Sequence, residues 1–274
     1  MKKYLFIFVA CSLLLCCHSG QEEPNASYKI SCGCGNKWPQ EKTVCQRELH
    51  WDYPVKPGTA EWEQLGSYQE RRNACQIPAD VLSSLSTEDL MDICMLNPFL
   101  RSDVTIYGYN DRGLDSLVKK FNGVRELLQR DDASKWLLNW YRCAMKNPLL
   151  LSDAPISEKG ELIANVPLVE LLFTRYHSPN DKKEDYREMV QHLICGYEKM
   201  LMHPELFTCW DLGINLFSRV RLLVKIDEQN LEKIPQKENN GIYLKGDYCP
   251  KNIDGNNDDQ TRTIIDELSC QLIN

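Results

Sequence analysis

The sequence has few of the patterns that ordinarily assign a function. Beyond its first 16 residues it has no long apolar stretch, and it has no extended run of basic residues. Since a spanning helix needs about 20 predominantly apolar residues, we expect no later segment to cross a membrane. Phosphate contact is made mainly by Lys and Arg, and the net charge is −7 at pH 7. The chain is therefore expected to have no nucleic-acid partner.

Short catalytic and ligand motifs are also missing. There is no HExxH, no GxSxG and no glycine loop of the kind that cradles phosphate. The acidic stretch 254–259 looks like a calcium loop, but Asp259 stands where the sharp turn requires glycine. We therefore predict no catalytic residue, no cofactor and no metal ligand. Many enzymes lack short motifs, so this weighs only mildly against an enzyme.

The N-terminus carries the most specific pattern in the chain. Lys2 and Lys3 precede the almost unbroken apolar run Tyr4–Leu15. This layout is typical of a secretory signal and is too short for a spanning helix. We expect an exported protein of the bacterial cell envelope.

The apolar run ends in a pattern that resembles the lipobox of bacterial lipoproteins. In it Cys17 is the expected lipid-modified residue, with Cys16 before it. The motif prefers Gly, Ala or Ser at that preceding position, so ordinary cleavage near Gly20 is the alternative. The choice between Cys16 and Cys17 as the modified residue also stays open. Multiple acyl chains anchor a protein stably, whereas one chain is marginal. The expected location is a membrane-anchored one, on the periplasmic or cell-surface face.

Composition divides the chain into five parts. After the signal come a polar tether, an irregular cysteine-containing segment, a helical domain, and a loop-rich tail whose final helix packs on the domain. The expected bounds are 1–16, 17–28, 29–55, 56–227 and 228–274.

Apolar residues recur at helical spacing through most of the helical domain. The clearest stripe lies in Leu114–Leu128, and a second helix follows with Trp136 and Trp140 on one side. So short a connection predicts an antiparallel hairpin with both tryptophans in its seam. The expected core contains Leu114, Phe121, Trp136, Trp140, Met189, Leu193 and Phe217.

Helix boundaries are indicated by capping residues and prolines. Thr59 and Ser86 are predicted N-caps, and the pair Asp131–Asp132 can cap the second helix of the hairpin. Pro167 lies within a nearly all-apolar helical stretch, where it should kink or split the helix. With no convincing strand pair, the fold class is all-α: a multi-helix bundle or an irregular array of helix pairs.

Only one segment suggests ligand contacts. Tyr107, Tyr109 and Asn110 lie in an expected loop, 101–111, and binding residues often occur on loops. Glu188 and His192 are one helical turn apart and are best explained as a surface pair.

Cysteines of an exported protein are expected to pair. The spacing of Cys32, Cys34 and Cys45 does not suit zinc, so we expect Cys45 to pair with Cys32 or Cys34. Cys249 is expected to pair with Cys270, tying the final helix to the loop before it.

Several stretches together resemble an uncharacterised family of exported bacterial all-helical proteins. The similarity covers roughly residues 52–227, and its motifs are caps, turns and stripe positions. The stretches are YPVKPGTAEW (53–62), ACQIP (74–78), STEDLMDIC (86–94), FNGVRELLQRDDA (121–133) and MHPELF (202–207). The resemblance implies export and a helical fold, and it supplies no catalytic residue.

Three functions are compatible with these patterns. The first is an envelope-anchored, non-catalytic lipoprotein that binds a protein or peptide partner. The others are a lipoprotein that binds a glycan or small molecule, and a hydrolase whose site is assembled from scattered carboxylates.

Overall fold

The computed structural model describes residues 49–147, 153, 155–176, 181–234 and 256–273. Every regular element within these ranges is a helix, which confirms the all-α class. In chain order the helices are α1 Ala60–Gln64, α2 Tyr68–Ala74, α3 Ala79–Ser84, α4 Thr87–Met95, α5 Ser102–Tyr107, α6 Asp111–Lys120, α7 Asn122–Leu127, α8 Ala133–Lys146, α9 Ile156–Arg175, α10 Lys183–Met202, α11 Cys209–Ile226, α12 Asn230–Lys233 and α13 Asn256–Ile273.

Local capping explains where several helices begin. The Thr59 hydroxyl accepts a hydrogen bond from the Trp62 backbone N–H at 3.3 Å, which caps α1. The Ser86 hydroxyl accepts from the Asp89 backbone N–H at 3.1 Å, which caps α4. Both predicted caps are confirmed, because this interaction needs only a short polar side chain just before the helix.

The expected helix over Leu114–Leu128 is broken into α6 and α7. The backbone is extended at Phe121, with φ −121° and ψ 114°. The Asn122 side chain accepts from Ile77 N–H at 3.0 Å and donates to the Ile77 carbonyl at 2.7 Å. Gln76 accepts from the Asn122 N–H at 3.0 Å. These contacts with a distant loop replace helical bonds at the break, yet most of the apolar stripe stays buried.

The expected hairpin between this stripe and the next helix does not form. Instead α7 and α8 both pack against α4, and α8 also packs against α9. Asp132 lies at the N-cap position of α8 but makes no capping bond there. Its carboxylate accepts from the Thr87 hydroxyl at 2.7 Å and from the Trp136 indole N–H at 2.9 Å. The acid therefore ties α8 to the start of α4 rather than capping a helix.

Trp136 and Trp140 are half-buried and pack against the core from its edge, so the prediction that both are buried within it is wrong. The Trp136 indole N–H needs a polar partner and finds it near the surface, in Asp132. The smaller apolar side chains of α8 take the central positions. The other five predicted core residues are buried, namely Leu114, Phe121, Met189, Leu193 and Phe217.

The centre of the molecule is built from the longest helices. α10 packs along α11, α9 packs on α8 and α11, and α13 packs against α10 and α11. α9 contains Pro167 but runs unbroken from Ile156 to Arg175, so Pro167 does not split it. The flanking residues 166 and 168–173 are all buried, and this packing offsets the missing backbone hydrogen bond.

Candidate functional site

A buried carboxylate holds three short helices together on one side of the molecule. Asp103 is fully buried on α5, and it accepts from the Arg72 guanidinium of α2 at 2.9 Å. Its other oxygen accepts from the Lys120 ammonium at 2.6 Å and the Ser116 hydroxyl at 3.0 Å, both on α6. Removing one partner from such a network leaves a buried charge uncompensated, so the network fixes the positions of α2, α5 and α6.

Arg72 extends this network to the surface. Its guanidinium donates to the Tyr68 hydroxyl at 2.6 Å and the Ser102 hydroxyl at 2.9 Å. It also lies 5.4 Å from the ring centre of Phe99, within the range of a cation–π contact. Tyr68 packs edge-on against the same Phe99 ring at 5.1 Å. The Tyr68 side chain is therefore held at both its ring and its hydroxyl.

Large apolar side chains are exposed directly beside this network. Ile106 is 64% exposed, Tyr68 50% and Tyr107 37%. Ile106 lies one helical turn beyond Ser102, whose hydroxyl accepts from the Tyr68 hydroxyl. Ile106 is therefore on the side of α5 that faces Tyr68. We call Tyr68, Ile106 and Tyr107 the α2–α5 surface. Exposed aliphatic and aromatic groups on a rigid support are typical of a site that contacts another molecule.

Cations flank the α2–α5 surface. The Lys120 ammonium lies 4.9 Å from the ring centre of Tyr107, and the Arg112 guanidinium lies 5.4 Å from it. The hydrogen bond to Asp103 raises the pKa of Lys120 and so keeps this amine charged. Arg112 is exposed and forms no ion pair with any residue in the described part of the chain. The apolar surface is thus bordered by positive charge.

The predicted ligand segment does not form the expected loop over 101–111, since Ser102–Tyr107 is α5. Of its candidate residues, only Tyr107 belongs to the exposed surface. Asn110 is buried and caps α6: its side chain accepts from the Gly113 N–H at 3.1 Å and donates to the Tyr107 carbonyl at 3.2 Å. Gly108 links the two helices with φ +95°, a conformation that favours glycine.

Tyr109 is half-buried and packs against the core. Burial raises the pKa of its hydroxyl to about 12, so this hydroxyl stays protonated at neutral pH. Ligand contact by Tyr109 or Asn110 stays a prediction, although Asn110 already has a structural role.

A second polar cluster lies deep in the core. Glu170 of α9 is fully buried, and its Oε1 accepts from the Tyr141 hydroxyl and from the Asn215 amide, each at 2.7 Å. Burial raises the pKa of Glu170 from its ordinary value of 4.5 to about 8. This carboxyl is therefore mostly protonated at neutral pH. Because the side chain has no exposed surface, an external substrate cannot reach it in this conformation.

A buried ion pair beside this cluster attaches the last helix. Arg219 of α11 is fully buried and pairs with Asp266 of α13 at 2.5 Å. Its guanidinium also lies 4.8 Å from the ring centre of Tyr197 on α10. One side chain thereby joins three helices.

His192 pairs with Glu188 one helical turn away as expected, but its predicted position on the surface is wrong. The imidazole is fully buried, with its Nε2 3.5 Å from the Glu188 carboxylate. Burial lowers the pKa of His192, which favours the neutral ring at physiological pH.

Five cysteines in the described part of the chain are in two states. Cys75 and Cys94 are buried free thiols, whereas Cys143, Cys195 and Cys270 are disulfide-bonded. Burial raises the pKa of Cys75 to about 11, so this thiol is poorly reactive. The predicted lipidation site Cys17 lies outside the described residues, as do Cys32, Cys34, Cys45 and Cys249. The proposed pairings therefore stay predictions.

Comparisons with known proteins assign no family to this chain. No protein-family model, no curated protein and no solved structure matches it significantly. Within the described ranges, no helix combines the length and apolar composition needed to cross a membrane. In the same ranges, His, Cys, Asp and Glu form no group of three or more that could hold a metal ion.

Proposed function

We propose that this chain is a lipid-anchored protein of the bacterial cell envelope that binds a protein or peptide partner through its α2–α5 surface. The observation that carries the proposal is the exposure of Ile106, Tyr68 and Tyr107 on helices fixed by the Arg72–Asp103 ion pair. Export and anchoring are inferred from the N-terminal pattern that ends at Cys17.

The support beneath the surface favours binding. Asp103 and Arg72 are buried polar groups, and an apolar pair of similar volume would often be as stable. What the ion pair supplies instead is a fixed geometry, since each partner has several hydrogen bonds. Fixed aromatic side chains lose little conformational freedom when a partner binds, which favours affinity.

The hydrolase alternative has less support. Among the described residues, Glu170 is the carboxyl with the strongly raised pKa that a general acid requires, but it is buried and held by Tyr141 and Asn215. A glycan would bind to exposed aromatic rings, so the α2–α5 surface is the candidate site for the glycan-binding alternative as well. The aliphatic Ile106 at the most exposed position favours a protein partner over a sugar.

Site-specific photo-crosslinking tests partner binding. A photoreactive amino acid replaces Ile106 in the full-length chain in living cells, and a matched control replaces Arg187, an exposed residue of α10. We expect one discrete protein adduct from position 106 and none from position 187. Equal labelling at both positions, or no adduct from position 106, would contradict the proposal.

Fractionation tests the anchor separately. The wild-type protein should sediment with membranes and carry an acylated N-terminal Cys17, as read by mass spectrometry. Cys17→Ala should be released or retained as an unprocessed precursor. A wild-type protein that is soluble and unacylated would exclude lipid anchoring. Partner binding is tested independently by the crosslink.

A further inference from the structure

The charges around the α2–α5 surface indicate what kind of partner it binds. Three cations lie there: Arg72, Lys120 and Arg112. Asp103 is bonded to two of them, Arg72 and Lys120, and makes no contact with Arg112. The positive charge of this cluster is therefore only partly compensated, although the chain as a whole carries −7.

Other nearby carboxylates are occupied elsewhere. Asp111 pairs with Arg175 and Arg221, and Asp115 pairs with Arg175. Glu70, the acid closest in sequence to Tyr68, accepts from the backbone N–H groups of residues 66 and 67 at the start of α2. None of these three forms an ion pair with Arg112.

Arg112 is placed to act on a bound molecule. It is exposed, and its guanidinium lies against the ring of Tyr107 at 5.4 Å from the ring centre. Stacking on a ring limits the motion of the guanidinium while its N–H groups can still form a bidentate pair with a carboxylate. An apolar side chain seated on Ile106 and Tyr107 would bring a neighbouring carboxylate within reach of Arg112.

Resting on the proposed function, we propose that the partner presents an acidic segment to the α2–α5 surface, with an apolar side chain on Ile106 and Tyr107 and a carboxylate paired with Arg112. Charge complementarity of this type raises association rates and selects among partners more than it raises raw affinity. The complex should therefore weaken as salt screens the charges.

The test compares two fluorescent peptides by anisotropy against the full-length, detergent-solubilised protein. One peptide alternates Asp and Glu with Leu, and the other has Asn and Gln in place of the acids. We expect the acidic peptide to bind about tenfold more tightly at low salt, with the difference shrinking as salt rises.

Two variants distinguish a site from general attraction. Arg112→Gln should weaken binding of the acidic peptide by roughly three- to tenfold, because it removes a contact at the surface. The control Lys119→Gln removes the same charge from an exposed residue of α6 that lies two helical turns from Arg112 and makes no cation–π contact with Tyr107. It should change binding by less than about twofold, because a charge that makes no direct contact acts only through the screened solvent.

Each other result overturns the inference. Equal affinity for both peptides, or an equal loss of affinity in the two variants, would show that Arg112 does not pair with a carboxylate of the peptide. No binding of either peptide would also reject an acidic partner, as would an adduct from position 106 that joins two copies of this chain. Tighter binding to anionic vesicles than to the acidic peptide would assign the surface to lipid. If the peptide measurements reject an acidic partner but position 106 still crosslinks to a different protein, the proposed function is retained and only the inference about the partner's charge is rejected.

Discussion

The two buried carboxyl groups of α5 and α9 are surrounded in different ways. Asp103 bonds directly to two cations, Arg72 and Lys120. Glu170 bonds to the neutral groups of Tyr141 and Asn215, while the nearby Arg219 is paired with Asp266. The first arrangement keeps a charge in place beneath the surface. The second favours a protonated acid, because burial without a bonded cation disfavours the carboxylate.

Asp103 therefore supports a candidate binding surface, whereas Glu170 is a structural group of the core. A charged network holds its members only while every partner is present, so its loss should be costly. A protonated carboxyl behaves as a neutral hydrogen-bonding group, and its cost appears only when rising pH removes the proton. Stability measurements on matched variants can distinguish the two.

The largest expected effect is that of Asp103→Ala. It leaves Arg72 buried without its carboxylate, and breaking a buried pair in this way costs ~3–5 kcal/mol of unfolding free energy. Denaturant unfolding measures the loss. The control Asp115→Ala removes a more exposed acid and should cost at most ~1 kcal/mol. Similar losses in the two variants would mean that Asp103 does not hold α2, α5 and α6 together.

Glu170→Gln should change how stability depends on pH. The pKa of Glu170 rises from 4.5 to about 8 on folding. Its favourable contribution is therefore fully present below pH 4.5 and is lost as pH rises through about 8. In this window the wild type should lose about 1.4 kcal/mol per pH unit relative to the variant, which has no proton to release.

Unfolding at a series of pH values tests this difference, and comparison with the variant cancels other titrating groups. If wild type and Glu170→Gln had parallel profiles from pH 5 to pH 8, the Glu170 carboxyl would not be protonated in the folded protein.

At neutral pH, Tyr141→Phe should have a smaller effect on stability. It deletes the hydroxyl that donates to Glu170 at 2.7 Å but keeps the ring, which packs edge-on against Phe173. The loss of one buried hydrogen bond costs ~1–2 kcal/mol, measured by thermal or denaturant unfolding. An unchanged stability would show that the Glu170 oxygen finds another donor.

The smallest expected change in stability is that of Ile106→Ser. Its side chain is mostly exposed, so the unfolding free energy should change by less than about 0.5 kcal/mol. A substantially less stable variant would indicate that Ile106 supports the fold, which would argue against its role in the binding surface.

Sequence patterns predicted the helix caps, because capping depends only on residues next to each other in the chain. The caps at Thr59 and Ser86 follow from a short polar side chain placed just before each helix. The break at Phe121 was missed because Asn122 bonds to Ile77, 45 residues away in the sequence. No spacing rule shows such a contact.

The candidate surface was only partly predictable. Tyr107 was predicted as a ligand contact because it lies in an expected loop. The helix α5 was missed because its six residues have a single buried apolar side chain, Val104, and so show no helical stripe. What holds α5 is the Asp103 network, which joins three separate segments. Glu170 did leave a signal, as a lone acid within an apolar stretch of α9, and its meaning required the positions of Tyr141 and Asn215.

Partner binding at the α2–α5 surface is measured most directly by the yield of the photo-crosslinked adduct from position 106 in cells, with Tyr107 intact and with Tyr107→Ser. If the α2–α5 surface binds a partner, the adduct should form with Tyr107 intact and fall sharply when this neighbouring ring is removed, at unchanged protein level. An adduct whose yield does not depend on Tyr107, or the absence of any adduct from position 106, would contradict partner binding at this surface.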